Sequence, residues 1–408
     1  MTTVVPEREY QSPGAPGTGI YAHIIGWGMA VPDTIMTNDD LAAIVETSDE
    51  WIQSRTGIKE RRIASEKEST ASLGLKAAQR ALEVADILPA ELDLVIVATS
   101  TPEHIFPSTA SLIQAWLGAS KAGAFDLSAA CSGFVYGLNM AAQAIRSGSI
   151  QTALVIGAET MSRVLDWQDR STCILFGDGA GAVVLRGSPV EGGVLSTVLR
   201  SDGYGGDLLC IPTVGSIDST TATNGHKFNK MYMNGGEVFK FATRVMTESI
   251  PEAVAQAGLT LDDIDLIIPH QANGRILQAA ARALKLDPNL FMSNVDRYGN
   301  TSAASIPIAL CEALQQGRVK DGDYLVLTGF GGGLSWATMV VKWGVPKHDE
   351  RQYTFINRPR RQISYIYAYW RTRLTRLRRR ADDLIARIRP KRGRMTRLRR
   401  KIERYPLD

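Results

Sequence analysis

The sequence predicts an α/β fold made of two similar halves in tandem, followed by a basic helical tail. Three observations carry this. Between about Ile20 and Val345, short β-branched runs alternate with stretches rich in Ala and Leu, the rhythm of buried, largely parallel strands joined by helices. Strand-like segments then recur at a nearly constant offset, and the charge changes sign close to Lys347.

Taken in order, residues 1–19 are rich in Pro and Gly without periodicity and are expected to form a disordered arm. The first half, 20–190, holds the runs LDLVIVAT, TALVIGA and AGAVVL; the second, 191–345, holds IDLIIP, YLVLTG and TMVVKW. Leu94 and Leu266 stand 172 residues apart in matching segments, and Leu154 and Leu325 stand 171 apart. Each half also carries an Ala-rich helical stretch closing at a glycine. Aligning Gly148 with Gly317 puts Cys131 opposite Asn300. Two halves of this kind would meet at an interface where pockets form.

The 408 residues include 46 basic and 42 acidic ones, and from Lys347 onward there are 21 basic and 6 acidic, so the preceding body has 25 against 36. An acidic body is therefore joined to a strongly basic tail. Cys131, Cys173, Cys210 and Cys311 lie far apart, with no Cys-x-x-Cys and no His-Glu-x-x-His, so no metal site or disulfide framework is expected. The start lacks the apolar core of a signal peptide, and no run of about 18 apolar residues is present to span a bilayer. A cytoplasmic protein, at most attached to a membrane surface, is the expectation.

Four segments carry chemistry. In Gly123-Ala-Phe-Asp-Leu-Ser-Ala-Ala-Cys-Ser-Gly-Phe, a short strand ends in small residues and Cys131 stands at a helix entry, where free N–H groups and the dipole favour a thiolate. A lone cysteine is more often a small buried apolar residue, and Cys173, Cys210 and Cys311 are read that way. His270 follows the strand LDDIDLII, at the sheet edge where ligands bind, although alone it could equally be structural. Asn300, in Tyr298-Gly-Asn-Thr-Ser-Ala-Ala-Ser, fits a helix cap as well as a site. Gly329-Phe-Gly-Gly-Gly-Leu-Ser can bring backbone amides close to a substrate. Gly177-Asp-Gly-Ala-Gly-Ala leads into a strand, so it is not a dinucleotide fingerprint. Glu159 and Asp178 are read as structural.

Together with Ser48-Asp-Glu-Trp-Ile-Gln-Ser-Arg-Thr-Gly-Ile, Phe176-Gly-Asp-Gly-Ala-Gly-Ala and Gly236-Glu-Val-Phe-Lys, these segments resemble the thiolase-like condensing enzymes, most closely β-ketoacyl-acyl-carrier-protein synthase III. The resemblance runs from about Ile20 to Trp343. It implies a five-layered thiolase-like fold, a homodimer, and a decarboxylating condensation of an acyl-CoA primer with malonyl-acyl carrier protein that initiates type II fatty acid synthesis, with no cofactor beyond the substrates. A specialised synthase of polyketide or other secondary metabolism is the alternative. By the same resemblance Cys131 holds the acyl group, while His270 and Asn300 donate to the oxyanion formed on decarboxylation. The backbone N–H groups of Cys131 and Gly332 form a second oxyanion hole.

The resemblance further implies that Trp51 and Arg170 sandwich the adenine of CoA, that Arg55 contacts phosphate, and that Phe239 and Asn273 line the pantetheine tunnel. Lys240 and Arg275 would receive the acidic carrier protein. Phe106 matches a residue that the neighbouring subunit uses to limit the acyl pocket, and its bulk suggests a short primer such as acetyl.

Residues 346–408 lie beyond the resemblance. Ile363, Tyr367, Trp370, Leu374, Leu377, Ala381, Leu384 and Ile388 recur in steps of four and three, one stripe of a basic amphipathic helix. After Pro390 and Gly393 the stripe resumes at Met395, Leu398, Ile402 and Tyr405 as a shorter helix. An anionic membrane surface, a protein partner (another tail, the acidic body or the carrier protein) and a plain solvated extension all fit this pattern. Nucleic acid is not expected, because no base-reading module accompanies the charge.

Overall fold

The computed structural model describes residues 19–212, 226–344 and 354–388. In the first half the main elements are β1 (Tyr21–Ala30), α1 (Asp49–Thr56), α2 (Thr70–Val84), β2 (Leu94–Ala98), α3 (Thr109–Leu117), β3 (Gly123–Leu127), α4 (Gly133–Arg146), β4 (Thr152–Thr160) and β5 (Asp178–Ser188). The second half brings β6 (Gly193–Ser201), α5 (Gly235–Gln256), β7 (Leu266–Pro269), α6 (Gly274–Leu284), α7 (Ser305–Gln315), β8 (Tyr324–Gly331) and β9 (Ser335–Lys342). A tail helix, α8, spans Thr354–Ile388.

The strands form a five-stranded sheet, β1-β5-β4-β2-β3, and a four-stranded sheet, β7-β8-β9-β6. Side chains alternate between their two faces. Ile96, Val155 and Val183 of one sheet, with Leu266, Leu325 and Met339 of the other, enclose a core that includes Phe134 and Leu138 of α4 and Ile306 and Leu310 of α7. Val95, Val97, Leu154 and Ile156 point the other way, onto α2 and α3. Ile267, Val326 and Val340 do the same in the second sheet, onto α5 and α6. Helices thus lie outside, between and outside two sheets, which gives the five layers.

Both sheets are mixed rather than largely parallel. β2 pairs in parallel with β3 and β4, and β7 with β8, while β1, β5, β9 and β6 join antiparallel. A strand covered on both faces reads as an apolar run in either direction, so composition does not report polarity.

The repeat matches four strands of each sheet, β1-β5-β4-β2 with β6-β9-β8-β7, with β3 an addition to the first sheet, and it corrects the alignment drawn from sequence. Leu94 pairs with Ala153, and Leu266 pairs with Leu325, so both strands share the offset of 172 and Leu325 matches Ala153, not Leu154. Ala153 and Leu325 face the central core, whereas Leu154 faces outward; a slip of one residue exchanges the faces. The same offset matches α4, starting at Gly133, with α7, starting at Ser305. Cys131 therefore matches Ala303 rather than Asn300. Aligning the closing glycines failed because α4 has 14 residues and α7 has 11.

Matching positions also make matching contacts. Ala130 and Ser302 both adopt left-handed φ, 44° and 49°. A Cβ on Gly157 would lie 2.1 Å from the Ala303 carbonyl oxygen, and one on Gly329 would lie 3.1 Å from Ser132 Cα and 3.2 Å from the Cys131 carbonyl oxygen. Each half presses its turn into a glycine notch on a strand of the other.

The tail helix begins nine residues before the stripe and runs through Pro359. Its first turns dock on the body: Arg361 Nη1 donates to Asp86 Oδ1 at 2.6 Å, Asn357 Nδ2 donates to Asp86, and Ala368 is buried against Gly118. Tyr365 packs on the cluster beneath α2 and α3. The predicted arm, apart from Gly19, residues 346–353 and the helix from Met395 to Tyr405 lie outside the described residues. No helix among the described residues is long and apolar enough to cross a membrane.

Candidate active site

The predicted reactive residues come from loops that meet where the halves join. β3 ends at Leu127 and is followed by a tight turn, Ala130–Ser132, that delivers Cys131 to the start of α4. His270 follows β7 directly, and its N–H is held by the Thr328 carbonyl at 2.7 Å. Asn300 is pinned to the other half: its N–H donates to Leu175 O, and its carbonyl accepts from Gly177 N.

Cys131, His270, Asn300 and Gly332 line one pocket of about 1540 Å³. Trp51, Arg55, Asn273, Phe239, Lys240 and Arg275 also line it. Phe106 does not; it stands 85% exposed on the loop after β2. Arg170 reaches the site through Trp51. The Arg55 and Arg170 guanidinium carbons lie 4.7 Å and 4.6 Å from the Trp51 ring centroid. The Trp51–Arg170 pair is thus closed on itself. Asn273 caps α6, accepting from Arg275 N and donating to Arg55 O. Lys240 is exposed and paired with Glu237 at 2.8 Å.

The resting state of Cys131 differs from the expectation of a preformed thiolate. Burial pushes its thiol up to about 12, with the hydrogen bond to Ser302 lowering it and the Glu159 charge raising it further. Desolvation of the anion outweighs the helix start. The thiol donates to Ser302 Oγ at 3.4 Å. Burial likewise pushes His270 down to about 3, so its ring is neutral. Phe330 meets that ring edge-on, with 5.1 Å between centroids. Asn300 Oδ1 accepts from Ser302 N at 2.8 Å, which leaves the NH₂ end of the amide as its donor.

Three contributors escaped the sequence reading. Ser302 and Ser305 lie in the Asn300 segment without a sequence signal of their own, and Glu159, which reads as structural, is one hydroxyl away from the thiol: Ser302 Oγ donates to its Oε1 at 2.9 Å. Cys210, set aside as inert, lines the pocket as well. Asp178 is structural as read, accepting from Ala64 N, Ser162 N and Ser162 Oγ.

Known proteins share this architecture. Residues 125–203 match the family described as 3-oxoacyl-[acyl-carrier-protein (ACP)] synthase III, and 254–343 match its C-terminal counterpart. The β-ketoacyl-[acyl-carrier-protein] synthase III of Roseiflexus sp. (strain RS-1) is 52% identical over 324 residues, covering 79% of this chain and 98% of the relative. The chain belongs to the β-ketoacyl-acyl-carrier-protein synthase III family. Another synthase III, from Desulfitobacterium hafniense (strain DCB-2), is 54% identical over 323 residues, covering 78% of this chain and 97% of that protein. The crystal structure of the Aquifex aeolicus VF5 synthase III has a TM-score of 0.74 at 47% identity, covering 79% of this chain and all of that one. A priming β-ketosynthase of the R1128 polyketide pathway has a TM-score of 0.74 at 36% identity, covering 80% and 97%. As a synthase III, the chain is an acyltransferase of the condensing class. These relatives are covered almost end to end by about four-fifths of this chain, so the remaining fifth is an addition to the shared synthase.

Proposed function

We propose that this synthase condenses a short acyl-CoA primer with malonyl-acyl carrier protein, through an acyl group on Cys131, to start fatty acid synthesis without a further cofactor. The observation carrying this reading is the convergence of Cys131, His270 and Asn300 on one pocket that Trp51 and Arg55 also line. The Cys131 sulfur forms a thioester and splits one difficult carbon–carbon bond formation into two steps. Malonyl decarboxylation then leaves charge on a thioester oxygen, for which the His270 ring N–H and the Asn300 amide are positioned donors. Backbone N–H groups of Cys131 and Gly332 serve the acyl carbonyl. Lys240 and Arg275 at the mouth receive an acidic carrier protein. Intact-mass measurement after incubation with acetyl-CoA should show one acetyl group, lost in Cys131→Ala. The R1128 neighbour favours a second reading, a priming synthase of secondary metabolism, and a primer and acceptor screen separates the two.

Phe106, exposed on its own chain, supports a homodimer in which a second copy takes the ring against its acyl pocket. Replacing Phe106 by Thr should then lengthen the accepted primer.

For the tail we propose an anionic lipid surface. Its body contacts use Asn357, Arg361, Tyr365 and Ala368, whereas Ile363, Ile366, Tyr367, Trp370, Leu374, Leu377 and Leu384 are each more than half exposed on the opposite side. Arg371 and Arg378 flank this stripe on one edge, with Arg373 and Arg380 on the other. Two tails packed stripe to stripe would oppose arginines, whereas acidic headgroups pair with them and Tyr367 and Trp370 suit the interface. Full-length protein should sediment with phosphatidylglycerol vesicles but not phosphatidylcholine vesicles, and Leu374→Glu with Leu377→Glu should abolish it. Equal sedimentation of the variant, or none by the parent, overturns the proposal.

A further inference from the structure

We propose that Ser302 and Glu159 form a relay that takes the Cys131 proton when the thiol is acylated and returns it when the acyl group leaves. The inference rests on Cys131 being the acylated nucleophile. Glu159 is completely buried near the end of β4, with donors from two segments, 99–101 and the turn at Ser302. Thr101 Oγ1 donates to it at 2.6 Å, Thr99 Oγ1 at 3.2 Å, Ser100 N at 3.0 Å and Ser302 Oγ at 2.9 Å. Beyond Ser302 lies Cys131 Sγ, 3.4 Å from the same hydroxyl. The line Sγ–Oγ–Oε1 is therefore continuous, and it ends on a carboxylate that no basic side chain neutralises among those hydrogen bonds.

The chemistry calls for such an acceptor. A buried thiol attacks only as its proton leaves, and His270 is turned to Ser305 through Nδ1. As the Cys131 sulfur bonds to the primer carbonyl carbon, the S–H proton passes to Ser302 Oγ and the Ser302 proton passes to Glu159 Oε1. The C–S bond to CoA breaks, and the CoA thiolate takes a proton from solvent. In condensation the new carbon–carbon bond expels the Cys131 thiolate. Glu159 then returns its proton through Ser302, restoring the thiol and the carboxylate. Charge and protons balance over the cycle, and no outside base is consumed.

Burial raises the Glu159 pKa, the direction that lets it hold a proton while the acyl-enzyme waits. The groups facing it are Thr99, Ser100 and Thr101 after β2, Ser302 before α7, and the Cys131 thiol.

The test is single-turnover acetylation of the full-length protein by acetyl-CoA, read by intact mass and mapped to distinguish Cys131 from Cys210. Ser302→Gly, which suits the left-handed backbone there, and Glu159→Gln should each slow acetylation tenfold or more at pH 7. The parent rate should fall on the acid side as Glu159 becomes protonated, and Glu159→Gln should lack that limb. Malonyl decarboxylation in the same variants is the control. Acetylation at the parental rate, or equal losses in both reactions, overturns the relay; should Glu159→Gln fail to fold, Ser302→Gly decides alone. A parent that takes up no acetyl group instead overturns the assignment of Cys131.

Discussion

The Ser305 hydroxyl oxygen lies 2.6 Å from His270 Nδ1 and 2.9 Å from the Ser302 carbonyl oxygen. That hydroxyl has one proton: it donates to the Ser302 carbonyl when Nδ1–H donates to it, or turns to Nδ1 when that nitrogen is bare. With that proton toward Nδ1, the shorter line, Nε2 carries the ring hydrogen and can donate to a thioester oxygen. Ser305→Ala removes this control, and malonyl decarboxylation should fall roughly tenfold while Cys131 acetylation changes little. Decarboxylation measured as released CO₂ checks it.

Donation by His270 and Asn300 should be separable from acyl transfer. Asn300→Ala should lower decarboxylation by about 10²–10³-fold and leave a detectable acetyl adduct on Cys131. An adduct lost together with decarboxylation would place Asn300 in the first step instead.

The neutral ring of His270 has a consequence for stability. Its folded pKa, about 3, lies below the unfolded value near 6.5. Between those values the unfolded chain binds a proton that the folded chain refuses, so this group lowers stability as pH falls from about 6.5 toward 3. Above 6.5 it contributes no pH dependence. Urea midpoints of the parent should drop across that window more steeply than those of His270→Gln.

Trp51 stacks on Arg170, and the proposed reading puts the adenine of CoA there. Trp51→Ala should raise KM for the CoA primer by roughly tenfold with a smaller change in kcat, because the ring binds far from the reacting carbon. Initial rates over a range of acetyl-CoA concentration decide this.

The tail is anchored on Asp86, which accepts from both Arg361 and Asn357. Asp86→Asn keeps a residue that tolerates its φ of 50° and removes the charge, which should weaken docking by about 1.5–3 kcal/mol. Hydrogen exchange should quicken across residues 357–368. Tyr365→Phe should act oppositely, since its hydroxyl is buried without a partner among the described residues.

Much of the site was readable because its parts sit in short, fixed-order segments: a small-residue turn with Cys131, a strand ending at His270, a turn with Asn300. What sequence could not supply was the third dimension between them. Glu159 lies 143 positions from Ser302, and nothing in either segment announces the other. The thiol's state is not legible for the same reason, since helix position is local and burial is not. The apolar stripe of α8 was read correctly as a stripe. Its back, though, holds the body through an arginine, an asparagine and a tyrosine, residues that a periodicity search counts as solvent-facing.

The paired notches at Gly157 and Gly329 carry one more implication. The turn bearing Cys131 is seated by the opposite half, so neither half owns a finished reaction centre. A fragment ending after β5 would keep its cysteine yet lose the wall that fixes it, and any wedge driven between the halves would free the turn that bears Cys131.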